Sequence, residues 1–263
     1  MFLNAVILVL QEILEASLLL SVLLALACLQ RASVRPPQGW ALLSVVCGIL
    51  GSWVFAMAVP TVSAWFDYTG QEAMNVAFLL TTIALVLVLG CVWRGEAQAM
   101  PRSRAIGTFC LVVIVTFAIT REGSEIILYT QGIRNESESM ARILLGILVA
   151  TGISVSCSAL LYFALRALPS RHALRVTVLL LALFAGNLAM QTILSFMQAD
   201  WLPYTMELWN SEAILSESSI AGRLLSALIG YEATPSLAQL TAYAAAFAAT
   251  ACTPLFRHAW RRT

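Results

Sequence analysis

Two short stretches of the sequence place acidic side chains inside otherwise apolar segments. The first reads QEILE and the second REGSE, so each contains two glutamates three positions apart. Residues three apart in an α-helix share a face, and therefore Glu12 with Glu15, and Glu122 with Glu125, form two carboxylate stripes. A charged side chain at the centre of a bilayer costs about 2.5–3.5 kcal/mol even on insertion scales, which makes these residues candidates for a functional site.

The four carboxylates indicate cation chemistry. Carboxylates that face one another in a medium of low dielectric constant repel and take up protons unless a cation lies among them. Oxygen ligands select hard cations, so a multivalent hard cation is the expected guest. Arg121 is one turn from Glu125 and Gln11 is one turn from Glu15, and we interpret Arg121 and Gln11 as charge-balancing residues. The alternative, glutamates that only lock helices together, is less favoured because one arginine cannot neutralise four of them.

The composition places these motifs in a membrane. The chain has 263 residues, of which 60% are hydrophobic and 11% are charged, whereas soluble domains have about 25% charged residues. Runs of about 20 apolar residues are long enough to cross a bilayer as helices. Seven such runs are found, at residues 3–28, 40–59, 74–93, 106–129, 143–165, 176–197 and 237–256. The sequence therefore predicts an all-α, polytopic integral membrane protein that forms a single transmembrane domain over residues 1–263.

The positions of the two motifs predict an internal repeat. They lie in the first and fourth spans, which run in opposite directions across the membrane. Residues 1–93 and 105–197 would then form an inverted repeat of three helices plus three, followed by a last helix at residues 237–256. Transporters of this design bind their ion near the middle of the bilayer, at the interface between the repeats.

The distribution of arginine predicts the orientation. Cytoplasmic loops retain basic residues, and alternate assignment of the loops puts eleven arginines and one acid on one side, against three arginines and nine acids on the other. We therefore expect the N-terminus outside and the C-terminus in the cytoplasm, in the inner (plasma) membrane. Residues 200–219 supply four of the outer acids, which would gather cations, dock a partner or form a solvated loop. Residues 220–231 are apolar but too short to span, which predicts a re-entrant or surface helix.

Other metal chemistry is disfavoured by the remaining ligand types. The six cysteines are scattered singly, and His172 and His258 both fall in basic cytoplasmic segments. No imidazole is then available inside the membrane for haem or zinc, and no permanently bound cofactor is expected.

Taken together, these motifs resemble the oxidase-dependent iron permease family, which comprises fungal high-affinity iron permeases and bacterial ferrous-iron uptake permeases. REGSE follows the family's Arg-Glu-Gly-Leu-Glu, and IGYEATPS at residues 229–236 resembles its Gly-Tyr-x-x-x-Pro-Ser segment. The resemblance runs from end to end. It implies a permease rather than an enzyme, which imports Fe(III) made from Fe(II) by an external oxidase or supplied by a periplasmic iron-delivery protein. It also implies that the four glutamates bind the iron and that Arg121 is the motif arginine.

Three departures from the family pattern bear on the metal. Gln11 replaces the first-span arginine and Ile13 a glycine, Asn75 falls where many bacterial members have glutamate, and MQADW at residues 197–201 replaces a His-Glu-Ala-Gly-like stretch. Fe(III), Fe(II) and another metal stay open as cargo. The alternatives are a proton-coupled carrier of another metal, or a non-transporting assembly or redox subunit with structural glutamates. Iron and the lipid bilayer are the expected partners, with no nucleic acid, and the sequence leaves the driving force, the identity of the external partner and any homo-oligomer open.

Overall fold

The computed structural model describes residues 2–30, 35–66, 68–93, 101–134, 140–217 and 219–261. Within these ranges the chain is helical apart from its connecting segments and one isolated β-bridge between Glu207 and Ser236. The helices are α1 (Phe2–Leu29), α2 (Trp40–Val62), α3 (Gly70–Val92), α4 (Pro101–Arg134), α5 (Met140–Ala167), α6 (Ser170–Gln198), α7 (Ile220–Ile229), α8 (Leu237–Ala251) and α9 (Pro254–Arg261). The predicted all-α polytopic membrane fold is confirmed.

Among the described residues, six helices are long and apolar enough to cross a membrane, and these are α1 to α6. The predicted seventh span at residues 237–256 is shorter in the structure, because α8 ends at Ala251 after 15 residues. Fifteen residues rise only about 22 Å, less than the ~30 Å hydrocarbon core. The chain turns at Cys252 and Thr253, and a new helix begins at Pro254, whose missing N–H and preset φ suit the first position of a helix.

The helices divide into central and peripheral ones. α1 and α6 are the most buried of the six long helices, and α2 and α5 are the least buried. The outer faces of α2 and α5 carry rows of exposed large apolar side chains, among them Leu42, Trp53, Leu148 and Phe163. Such surfaces suit contact with lipid, so the buried polar residues of the central helices are screened from the bilayer.

Two helix pairs are joined by serine hydroxyls that donate to the main chain of the neighbouring helix. α1 packs against α5, where Ser154 Oγ donates to the Leu10 carbonyl at 3.1 Å. α2 packs against α4, where Ser52 Oγ donates to the Ile119 carbonyl at 2.7 Å. Small hydroxyl residues allow close helix packing in membranes. In a repeat of three helices plus three, α1, α2 and α3 correspond to α4, α5 and α6, so the α1/α5 pair corresponds to the α4/α2 pair. The two pairs fit such an inverted repeat, and the repeat itself stays a prediction.

The segment after α6 leads into the short helix α7, which occupies most of the stretch predicted to be a re-entrant or surface helix. Ser219 caps its N-terminus by accepting from the Gly222 N–H at 3.0 Å. Gly230 ends it with φ 71°, a left-handed conformation that favours glycine. α7 packs against α1 and α6, which brings it over the end of α1 that carries QEILE.

Several charges used to predict the orientation lie outside the described residues: Arg31, Asp67, Arg94, Glu96, Glu136, Glu138 and Arg262.

Candidate metal site

The two carboxylate stripes meet where α1 packs against α4. Glu12, Glu122 and Glu125 each offer one carboxylate oxygen, and these three oxygens lie within 4.8 Å of one another. Glu122 is buried, with 4% of its surface exposed, and the other two are half-buried. A cluster of this size from two helices has the spacing needed to surround a cation with oxygen ligands.

The fourth glutamate, Glu15, lies in an ion-pair network next to this cluster. Arg121 Nη2 donates to Glu15 Oε2 at 3.5 Å and also to Glu122 Oε1. Gln191 Nε2 donates to the same oxygen of Glu15 at 3.1 Å. The sequence predicted that Arg121 would reach Glu125, one turn along its own helix, whereas its carboxylate partners in the structure are Glu122 and Glu15. The guanidinium therefore joins the two stripes.

Gln11 faces away from this network. Its Oε1 accepts a hydrogen bond from Arg223 Nη1 of α7 at 2.7 Å, whereas the partners of Glu15 are Arg121 and Gln191. The amide oxygen of Gln11 is therefore used by a third helix, and the interpretation of Gln11 as a charge-balancing residue stays a prediction.

The glycine of REGSE is required by close helix packing. A Cβ on Gly123 would lie 2.3 Å from Ser52 Oγ of α2, which is too close for any real Cβ. Ser52 is itself held in place by its hydrogen bond to the Ile119 carbonyl of α4. Glycine at this position therefore lets α2 approach α4 directly behind Glu122 and Glu125.

Three amide side chains contribute to the site beyond the predicted glutamates and arginine. On α6, Gln191 bonds Arg121 and Glu15 and lies 3.5 Å from Asn187. On α3, the Asn75 side chain lies close to the Glu125 carboxylate. Sequence reasoning noted Asn75 only as a departure from the family pattern and passed over α6. The available signal was two amides four positions apart in an otherwise apolar span, which places them on one face.

A comparison with protein families finds a match to the iron permease FTR1 family over residues 2–256. This chain belongs to that family. The membership predicted from the motifs is thereby confirmed, and with it iron transport by a membrane permease. Comparisons with curated proteins and with solved structures find no match.

The permease has two cavities near the charged residues. The first is an open cavity of about 500 Å³, lined by Gln11, Glu212, Glu217, Arg223 and Ser226. The second is a small and mostly apolar cavity of about 30 Å³, lined by Glu15, Arg121 and Glu122 together with apolar residues further along the helices.

Aromatic rings line this second cavity. Phe78 of α3, Phe117 of α4 and Phe184 of α6 all contribute to its wall, and the rings of Phe78 and Phe117 meet edge to face with centroids 5.0 Å apart. The charged residues Glu15, Arg121 and Glu122 therefore share a cavity with three aromatic side chains.

Proposed function

We propose that the permease imports iron as Fe(III) through the site built from Glu12, Glu15, Glu122 and Glu125. The observation that carries the proposal is the cluster of three carboxylate oxygens within 4.8 Å, contributed by α1 and α4 and flanked by a buried arginine. Three hard oxygen ligands suit a hard cation, and soft ions prefer thiolates. Glu15 stands next to this cluster, where it can join the ligands when Arg121 moves.

The charge balance supports a trivalent cargo. When all four glutamates are ionised they carry −4, and Arg121 adds +1, so the set of residues around a bound cation has a formal charge of −3. An uncompensated buried charge is strongly destabilising. Fe(III) would bring the formal sum to zero, whereas a divalent ion would leave one negative charge. Iron in this proposal is the transported substrate, and the permease holds no resident cofactor.

The direction of transport follows from the predicted orientation. With the N-terminus outside and the C-terminus in the cytoplasm, the open cavity beside Gln11 faces outward, and the cavity lined by the three aromatic rings lies further inward. An external oxidase or iron-delivery protein then supplies Fe(III) to the outward-facing cavity at the inner (plasma) membrane. Iron would leave toward the cytoplasm past Phe78, Phe117 and Phe184.

The test is iron uptake by cells that lack their own iron systems, normalised to the amount of permease in the membrane. Alanine at each of the four glutamates should abolish uptake. Aspartate should also fail or be severely impaired, because oxygen ligands bind hard cations within narrow limits of distance. Glu207→Ala, at an exposed position outside the site, serves as the matched control and should transport normally.

Two results would overturn the proposal. Normal uptake by all four alanine variants would mean that the glutamates only pack helices. Equal uptake from Fe(II) kept reduced by ascorbate, with no oxidase present, would refute Fe(III) as the transported form.

A further inference from the structure

The short helix α7 forms part of the wall of the open cavity beside Gln11. Asn187 Nδ2 of α6 donates to the Ser226 carbonyl of α7 at 3.4 Å. The preceding loop packs tightly on its first turn, where a Cβ on Gly222 would lie 2.2 Å from the Ser216 carbonyl oxygen. α7 is thus held from both sides, and Arg223 and Ser226, three positions apart, both line the cavity.

Arg223 connects α7 to the metal-binding end of α1. Its Nη1 donates to Gln11 Oε1 at 2.7 Å and to the Ile7 carbonyl at 3.3 Å. Gln11 directly precedes Glu12 in the sequence, and Arg223 also lines the open cavity. The guanidinium therefore lines the open cavity and is also close enough to Glu12 to interact with its charge.

Two acidic side chains, Glu212 and Glu217, line the same cavity as Arg223. Glu212 accepts from Ser216 Oγ at 2.5 Å and from the Glu217 N–H at 3.3 Å. Glu217 accepts from the Ala233 N–H of the turn before α8. Both carboxylates are thus held by neutral donors. A cation in this cavity would be attracted by these carboxylates and repelled by Arg223.

We propose that Arg223 controls the access of iron to Glu12. The guanidinium binds Gln11 while the glutamate cluster is empty, and it moves toward Glu212 and Glu217 when the cation passes. Arg223 is in this sense a specificity-determining residue, because only a cation that binds the glutamate cluster strongly can displace the guanidinium from Gln11. The proposal rests on the proposed function, since it needs the glutamates as the destination of the cation.

The central experiment measures initial uptake rates against iron concentration in cells that carry Arg223→Gln. Removing a unit charge several ångströms from a cation's path changes its affinity by about three- to ten-fold, so the apparent KM should fall by that factor. Zn²⁺ should become a stronger competitor of iron uptake. Arg223→Lys keeps the charge and should stay within about two-fold of the wild type.

Arg175→Gln is the matched control. Arg175 is also a half-buried arginine that donates to a main-chain carbonyl of another helix, Ala259 of α9 at 3.1 Å, but it does not line the cavity. Its substitution should leave KM and zinc competition unchanged. If both arginines had only a structural role, Arg223→Gln and Arg175→Gln would both lower the amount of permease in the membrane, and neither would change the KM.

A second variant tests the contact between Arg223 and Gln11. Gln11→Glu gives Arg223 an ionised partner, which should hold the guanidinium in place and raise the apparent KM. If Arg223 affected the cation only through electrostatic repulsion and did not move, the added negative charge of Gln11→Glu would lower the KM instead. That result would overturn the proposal. Gln11→Glu tests the role of Arg223 even if Arg223→Gln fails to accumulate in the membrane.

Glu12→Gln is measured in parallel to separate the two proposals. Loss of uptake in Glu12→Gln together with an unchanged KM in Arg223→Gln would refute the role of Arg223 and leave the glutamate site standing. Normal uptake in Glu12→Gln would refute the ionised Glu12 carboxylate as the destination of the cation, and with it the role of Arg223.

Discussion

The amide oxygen of Gln191 lies 2.6 Å from Nη1 of Arg121. The nitrogen of the same amide donates to Glu15, so one neutral side chain of α6 satisfies both a buried cation and its anionic partner. α6 is thereby joined to α1 and α4 at the site. Buried ion pairs are stable only when their remaining donors and acceptors are also satisfied, and Gln191 fulfils that condition.

Gln191→Leu should lower both the amount of permease in the membrane and its iron uptake, the latter at least about ten-fold. Each hydrogen bond to a charged group contributes about 1.5–3 kcal/mol, and this substitution removes two. Thr192→Val is the control, because Thr192 is buried on the same helix but donates only within it, to the Leu188 carbonyl. Equal effects of the two substitutions would contradict a specific role for Gln191.

Arg121→Gln should be more severe than Gln191→Leu. It leaves four carboxylates without the cation that joins the stripes, an arrangement expected to cost about 3–5 kcal/mol or to force protonation. Membrane-normalised uptake against external pH is the measurement, with loss expected throughout. Arg121→Lys should recover part of the protein level but little uptake, since one ammonium does not reproduce the contacts to Glu15, Glu122 and Gln191. Normal uptake in Arg121→Gln would show that the site is not balanced by charge.

Gly123→Ala should destabilise the permease because the new methyl group would meet Ser52 Oγ at 2.3 Å. Overpacking of this kind costs about 1–3 kcal/mol. Ser52→Gly removes the obstructing side chain and should rescue part of the loss in the double variant. Gly132→Ala, on the same helix with no atom within 4 Å of the added Cβ, should be neutral. Thermal stability in detergent is the readout, and a neutral Gly123→Ala would contradict the close approach of α2 and α4.

Gln11→Arg should reduce protein and uptake, although it restores the arginine of the resembled family pattern. Glu15, one turn along α1, would be the partner of this arginine if only the sequence were considered. In the structure the new guanidinium would face Arg223, and like charges in contact repel. The exchange Gln11→Arg with Arg223→Gln should recover protein level relative to Gln11→Arg alone. Failure of this recovery would show that the two side chains are not energetically coupled.

The predicted orientation is tested by cysteine labelling in a variant without native cysteines. Met206→Cys, at a position 90% exposed, should react with an impermeant reagent from outside. Ser170→Cys, at the exposed first residue of α6, should react only after the membrane is permeabilised. The opposite pattern would reverse the orientation and with it the proposed direction of transport.

The sequence alone determined the class of the protein, the six long spans and the two carboxylate stripes. These are local properties, since helix period places Glu12 with Glu15 on one face and apolar run length sets which segments cross a bilayer. It also indicated the family through REGSE and the segment at residues 229–236. The end of α8 at Ala251 was missed because an apolar run continues through the turn before Pro254.

Only the tertiary structure decided which side chains each charged group contacts. Gln191 is 70 positions from Arg121, and Arg223 is 212 positions from Gln11. Such contacts depend on how each helix is rotated and shifted along its axis against its neighbours, and that is set by packing such as Gly123 against Ser52. Sequence periodicity identifies the face of a helix but not the helix that will cover it. For this reason Glu15 is separated from the cluster of three glutamates, and Gln11 is bound by α7.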